Sequence, residues 1–93
     1  MKVTILQRDI EWCSVEVNLR RAAEAIDRRP GADLYVLPEM FSTGFCTEPR
    51  GLAESEQGAT LEWMRRKAAE TNAAIAGSVA VEVKGCYYNR FYF

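Results

Sequence analysis

The chain has 93 residues, of which 48% are hydrophobic and 27% are charged, and its net charge is −1. It lacks the excess of basic or acidic side chains that binding to nucleic acid or to an anionic membrane surface requires. No apolar run approaches the roughly 18 residues of a membrane span, and the apolar part of the amino terminus is too short for a signal peptide. We therefore expect a cytoplasmic protein with one modest core.

The three cysteines, Cys13, Cys46 and Cys86, are far apart in the sequence, and there is no histidine. No C-x-x-C pair occurs, so the usual spacings of zinc ligands are absent. We expect no bound metal and reduced thiols, as is usual in cytosolic proteins.

The first half of the chain predicts a strand, a helix and a second strand. The first strand covers residues 2–7, and Ser14 is a plausible cap for the helix that follows. A short apolar run over residues 34–37, bounded by Gly31 and Pro38, is typical of a strand buried on both faces. We expect a βαβ unit with parallel strands and a right-handed crossover. The helix between them carries an apolar stripe of Val15, Leu19, Ala22, Ala23 and Ile26.

The second half begins with a long connection over residues 42–59, which is rich in Ser, Thr, Gly, Glu and Pro. A connection of this length is usually functional or disordered. A second helix is predicted to begin near Ala59 or Thr60 and to end near Asn72. Tyr35 and Trp63 are expected to lie in the core.

A hairpin completes the chain. Residues 73–83 and 86–93 are predicted strands, and Lys84-Gly85 forms the tight turn between them. The full order is βαβαββ, which indicates an α/β fold in a single domain spanning residues 1–93. Because the sequence stops on the aromatic residues 91–93, we expect an amino-terminal piece of a longer protein.

Glu39 is the residue best placed to carry chemistry. It directly follows Pro38, where the second strand has to end, and the carboxyl ends of strands are where open α/β folds bind ligands. Beside Met40 and Phe41 the carboxylate is expected to be partly desolvated, which suits it to general-base work. Alternatively, Glu39 caps a following turn or pairs with an arginine.

The stretch Leu37-Pro38-Glu39-Met40-Phe41-Ser42-Thr43-Gly44-Phe45 closely resembles the first catalytic motif of the nitrilase superfamily, the carbon–nitrogen hydrolases. The residues of this motif are similar to those of the bacterial omega-amidase branch. Residues 3–7, 76–80 and 87–91 resemble the first, third and fourth strands of the family, in the same order. The resemblance covers the whole chain and implies the amino-terminal βαβαββ portion of an αββα sandwich.

The resemblance also implies a mechanism. In the family a Glu–Lys–Cys triad hydrolyses a small-molecule amide, here a 2-oxo acid amide, through a thioester acyl-enzyme. Glu39 would be the general base, and a lysine would stabilise the tetrahedral oxyanion. The family uses no metal or cofactor, and the parent protein is implied to be a homodimer.

The catalytic lysine and cysteine are absent from this sequence. The family places the lysine in a K-R-H-L-F-like context and the cysteine in C-Y-D-L-R-F-P, and neither occurs here. Lys2, Lys67 and Lys84 fall in a predicted strand, helix and turn. Cys86 begins C-Y-Y-N-R-F, which shares C-Y-x-x-R-F with the nucleophile motif, but it directly follows a hairpin turn and has Tyr88 in place of the aspartate. We expect the chain alone to be inactive.

Three further residues are candidates for contact with a substrate or with the catalytic region. Phe41 could wall the pocket, although apolar residues in such a place are more often core. Arg90 would suit the free carboxylate of an omega-amidase substrate. Asn89 and Arg90 could instead hydrogen-bond to the catalytic region or tie neighbouring strands together.

Two other classes of protein are alternatives to a carbon–nitrogen hydrolase. A non-catalytic α/β interaction module, or a gene remnant that kept the fold, would use the exposed sheet edge for pairing with a partner. A nucleotide-binding domain of the Rossmann type is disfavoured, because no G-x-G-x-x-G or G-K-[ST] follows the first strand.

Overall fold

The computed structural model describes residues 1–45 and 52–93. Its elements follow the predicted order βαβαββ, and their bounds lie within a few residues of the predicted ones. They are β1 (Val3–Ile5), α1 (Val15–Asp27), β2 (Leu34–Val36), α2 (Ala59–Thr71), β3 (Ala74–Val83) and β4 (Cys86–Tyr92). No helix in the described part of the chain is long and apolar enough to cross a membrane.

The four strands form one sheet in the order β1-β2-β3-β4. Strands β1, β2 and β3 are parallel, and β3 pairs with β4 in an antiparallel hairpin, as predicted. Strand β3 has ten residues, whereas β2 has three, so β3 continues well beyond the point where β2 ends. The chain that follows β2 therefore runs beside the middle of β3.

The ends of the helices follow local sequence signals, with one exception. Helix α1 begins directly after Ser14, but the Ser14 side chain makes no capping hydrogen bond, so the predicted cap is wrong in this respect. The helix stops before Pro30, as expected. Helix α2 ends at Asn72, which adopts the left-handed conformation (φ 53°) and donates its backbone N–H to the Ala68 carbonyl.

Both helices pack on one face of the sheet and form the core with it. Tyr35 of β2 is 1% exposed, and Trp63 of α2 is 7% exposed, so the prediction that both are core residues is confirmed. The cluster joins α1, α2 and the sheet through Leu6, Ala22, Ala25, Ile26, Ala32, Tyr35, Leu37, Phe41, Trp63, Met64, Ile75, Val79 and Val81.

The opposite face of the sheet is open. Val3 and Ile5 on β1 are 46% and 73% exposed, and Phe91 on β4 is 65% exposed. The prediction that residues 34–37 are buried on both faces is therefore wrong. Tyr35 and Leu37 are buried, whereas Leu34 and Val36 are only half-buried, because no second layer covers their side among the described residues.

Lys67 links the two helices. Its side chain is 9% exposed, and its Nζ lies 2.9 Å from Asp27 Oδ1 of α1 and 3.3 Å from Glu70 Oε2 of α2. Burial lowers the pKa of Lys67, but the hydrogen bonds to Asp27 and Glu70 outweigh it, so the pKa is raised above its ordinary value. The ammonium group is thus charged where it bridges the helices.

Candidate active site at the end of the second strand

The segment that follows β2 is a tight turn pinned at both ends. Leu37 still donates its N–H to the Ala76 carbonyl of β3 (2.8 Å). Met40 then has a positive φ of 53°, and its carbonyl accepts hydrogen bonds from the N–H groups of Thr43 (3.2 Å) and Gly44 (2.7 Å). A non-glycine residue in this conformation costs about 1–2 kcal/mol, so its surroundings have to hold it there.

Strand β3 supplies the main contacts that hold the turn. Ser78 is buried, and its Oγ accepts the backbone N–H of Met40 at 2.9 Å. The preceding residue, Gly77, lets the turn come close, because a Cβ there would lie 3.0 Å from Phe41 Cδ1 and 3.3 Å from Leu37 Cβ. The turn thus approaches β3 too closely for a side chain at position 77 without rearrangement.

Helix α1 holds the turn from the other side. Asn18 is buried, and its Nδ2 donates to the carbonyls of Glu11 (2.7 Å) and Ser42 (2.9 Å), while its Oδ1 accepts the Glu11 N–H (2.8 Å). Cys13 also donates its backbone N–H to the Thr43 carbonyl (2.8 Å). The segment before α1 and the turn after β2 are therefore fixed to each other.

Glu39 projects from this turn over the open face of the sheet. Its Oε2 accepts a hydrogen bond from Asn89 Nδ2 on β4 at 3.0 Å. The side chain borders an open cavity of about 250 Å³ that is lined by Leu37, Glu39, Gly77, Ser78, Asn89 and Phe91. Glu39 is exposed, so the expected partial desolvation is not seen; this side of the sheet has no second layer among the described residues.

Phe41 and Arg90 do not share this cavity with Glu39. Phe41 is 1% exposed and packs against Trp63, with ring centroids 5.8 Å apart, so it lies in the core under the turn. Arg90 neighbours Asn89 on β4 and points to the opposite face, where its Nη1 lies 3.1 Å from Glu56 Oε2. The hydrogen bond to Glu56 raises the pKa of the Arg90 guanidinium.

The other candidate residues lie apart from Glu39 or outside the described part of the chain. Cys86 is a free, exposed thiol at the start of β4. Cys13 is in a disulfide, so the expectation of reduced thiols is wrong for this residue. Cys46 lies outside the described residues. Within residues 1–45 and 52–93 no three His, Cys, Asp or Glu side chains come together as a metal site.

The sequence interpretation missed Ser78. Its signal is the Gly77-Ser78 pair in the middle of an otherwise apolar strand. Glycine inside a strand often marks the close approach of another segment, and here the side chains of Phe41 and Leu37, from the segment that carries Glu39, come close to it. The hydroxyl next to it supplies the acceptor that the approaching N–H needs.

The site is thus a carboxylate at the carboxyl edge of an α/β sheet, beside an open cavity. The family model for carbon-nitrogen hydrolase matches residues 2–93. The chain belongs to this family, as the motif at residues 37–45 predicted.

Relatives of known function cover the chain almost completely. The omega-amidase YafV of Escherichia coli is 38% identical over 91 residues, which are 98% of this chain and 35% of that protein. The 2-oxoglutaramate amidase of Bacillus subtilis is 34% identical over 97 residues, 99% of this chain and 38% of that protein. The chain thus spans little more than a third of the length of these relatives.

A solved structure shows the same fold. A CN-hydrolase superfamily protein of Xanthomonas campestris, crystallised with an arsenic adduct in its active site, superposes with a TM-score of 0.90 and is 32% identical. The match covers 97% of this chain and 34% of that protein. The α/β fold of the nitrilase type is therefore confirmed.

Proposed function

We propose that residues 1–93 supply the general base of an amide hydrolase of the omega-amidase kind, which acts on 2-oxo acid amides. The observation that carries the proposal is Glu39 at the carboxyl end of β2, where it borders an open cavity and accepts a hydrogen bond from Asn89 through Oε2. The names of the relatives, omega-amidase and 2-oxoglutaramate amidase, support the substrate class. A cytoplasmic, homodimeric parent protein belongs to the same proposal.

In this proposal Glu39 moves protons in both halves of the reaction. It takes the proton of a cysteine thiol as the sulfur attacks the amide carbonyl carbon. It then gives that proton to the departing nitrogen as the carbon–nitrogen bond breaks, so that ammonia leaves and a thioester remains. In the second half Glu39 takes a proton from the water that attacks the thioester carbon. It returns this proton to the sulfur as the carbon–sulfur bond breaks, which releases the carboxylic acid and the thiol.

No lysine or cysteine of residues 1–93 stands in the family motif of the oxyanion-stabilising lysine or in that of the nucleophile. We therefore expect purified residues 1–93 to release no ammonia from succinamate or 2-oxoglutaramate. A carboxylate alone lacks the atom that forms the acyl-enzyme. Ammonia release is measured in a coupled assay, and turnover by the 93-residue chain that survives Glu39→Gln would contradict the role given to Glu39.

The positive test is a chimera in which residues 1–93 replace the aligned segment of the Escherichia coli omega-amidase YafV. We expect the chimera to release ammonia from both substrates, and Glu39→Gln to lower kcat/KM by about 10³-fold or more. Glu82→Gln is the matched control, because Glu82 is an exposed carboxylate on the same sheet face and is expected to leave the rate unchanged.

The chimera also separates the enzyme from the alternative class. If residues 1–93 are a non-catalytic module with the same fold, the chimera folds but releases no ammonia. A folded, active chimera in which Glu39→Gln and Glu82→Gln behave alike would contradict the proposed general base.

A further inference from the structure

The residue after Glu39 is bound through both of its backbone polar groups. The Met40 N–H donates to Ser78 Oγ at 2.9 Å, and the Met40 carbonyl accepts from Gly44 at 2.7 Å. Its positive φ sets the direction in which the chain leaves Glu39. The Ser78 hydroxyl therefore fixes the main chain from which the Glu39 side chain extends.

The end of the Glu39 side chain is held separately. Asn89 Nδ2 donates to Oε2 at 3.0 Å, and Oε1 accepts no hydrogen bond from the part of the chain that the structure describes. An amide N–H can only donate, so this contact fixes the rotation of the carboxylate. One oxygen is thus held, and the side chain that carries both oxygens borders the cavity.

The two holding residues lie on one face of the hairpin. Ser78 pairs with Phe91 and Asn89 pairs with Ala80 in the β3–β4 register, so Ser78 and Asn89 are diagonal neighbours on the face toward which Glu39 projects. A rigid two-strand ladder therefore carries both contacts, one to the backbone and one to the carboxylate.

We infer that Ser78 and Asn89 are positioning residues for Glu39: Ser78 holds its backbone, and Asn89 holds Oε2 so that Oε1 receives the proton. This inference rests on the proposed role of Glu39 as the general base. It assigns a task to the third and fourth strands, which contribute no reacting group of their own.

The kinetic test uses the chimera described above. Asn89→Leu removes the donor, and we expect kcat to fall by about 10²-fold with KM changed little. Tyr87→Leu is the matched control, since Tyr87 lies on the same strand and face. It is expected to change neither kcat nor KM.

Ser78 is tested with a pair of substitutions. Ser78→Ala removes the acceptor of the Met40 N–H and is expected to lower kcat by about 10²-fold, whereas Ser78→Thr, which keeps the hydroxyl, retains the rate. Ser78→Thr is thus the matched control, because it keeps the oxygen that accepts the Met40 N–H. If Ser78→Ala does not fold, Asn89→Leu, on an exposed residue, still decides the question.

A second readout does not depend on activity. In the 93-residue chain, Glu39→Gln should shift the NMR resonances of the Asn89 side-chain amide, and Ser78→Ala should shift them by less. Asn89 amide resonances that Glu39→Gln leaves unmoved would overturn the contact.

The outcomes separate the two proposals. If Glu39→Gln leaves the chimera active, the general base is wrong. If Glu39→Gln is inactive while Asn89→Leu and Ser78→Ala retain the parent kcat, Glu39 is the base and the positioning inference is overturned.

Discussion

At the scale of single residues, the turn after β2 combines backbone strain with close hydrogen bonding. Met40 has a left-handed backbone conformation, in which glycine would be less strained. Its N–H is bound by Ser78, and its carbonyl is bound by Thr43 and Gly44. Strain of this kind persists where the surroundings determine the conformation. Glu39 is the residue whose direction this conformation sets.

Ser42 offers a stability prediction in the same turn. Its side chain is fully buried, and Oγ has no hydrogen-bond partner in the described part of the chain. Because a buried hydroxyl without a partner is destabilising, we expect Ser42→Ala to raise the free energy of unfolding by about 1 kcal/mol, measured by urea denaturation. A loss of stability of that size would show that the hydroxyl is satisfied.

The sequence predicted Glu39 and named Asn89 and Arg90 as residues that could hydrogen-bond to the catalytic region, but it could not choose between the two, for physical reasons. A carboxylate directly after a buried strand is a local signal, whereas the contact between Asn89 and Glu39 joins residues 50 positions apart. Arg90 shows the same limit. Its charge suggested a substrate contact, but the strand alternation that places Asn89 toward Glu39 places Arg90 toward Glu56 on the opposite face.

At the scale of elements, the close approach of the turn to β3 depends on Gly77. We expect Gly77→Ala to lower the free energy of unfolding by about 1–3 kcal/mol, because its Cβ would press on Phe41 and Leu37. Gly85→Asn is the control: position 85 has a positive φ that asparagine tolerates, and no atom lies within 4 Å of a Cβ built there. Equal stability of the two variants in urea would contradict the packing described.

Asn18 joins α1 to the turn, and we expect the hydrogen bonds of its amide group to contribute more to the stability of the fold than the volume of its side chain. Asn18→Asp keeps the acceptor for the Glu11 N–H but loses both donors to the carbonyls of Glu11 and Ser42. Leaving these groups unpaired in a buried place should lower the free energy of unfolding by about 2–3 kcal/mol. Asn72→Asp, at an exposed helix end, is the comparison, and a similar effect of both variants would contradict the proposed link.

The Lys67 bridge predicts a pH-dependent coupling of the helices. Its folded pKa is raised above 10.5, so its stabilising effect is complete below pH 10.5 and is lost as the pH rises through the folded value. We expect Lys67→Met to lower the free energy of unfolding by about 1 kcal/mol at pH 7, since Asp27 and Glu70 are largely exposed, and by less above pH 10.5. Arg66→Met, which removes an exposed charge from the same helix, should show no such pH dependence.

The element order was predictable because its signals are local: an apolar stripe, turn residues and alternation. The open face was not. An apolar run such as residues 34–37 predicts a strand buried on both faces, whether or not a second layer is present. Only the exposed fractions of Val3, Ile5 and Phe91 show which face of the sheet lacks a second layer among the described residues.

At the scale of the whole molecule, this open apolar face should promote association with other apolar surfaces. We expect the 93-residue chain to bind an apolar dye or to self-associate in sedimentation experiments. Replacing Ile5 and Phe91 by lysine, which removes apolar surface from the two edge strands of this face, should reduce both effects. A chain that sediments as a monomer and binds no dye would contradict the expectation.

The relatives are about three times as long as this chain, and the proposal assigns to residues 1–93 the proton-transfer part of their chemistry. The most direct test of this claim is the first turnover of the chimera, followed by rapid quench. If Glu39 takes the thiol proton, Glu39→Gln should abolish the initial release of one ammonia per active site. A full burst at the parent rate in Glu39→Gln would show that the carbon–nitrogen bond breaks without Glu39, and would contradict the account.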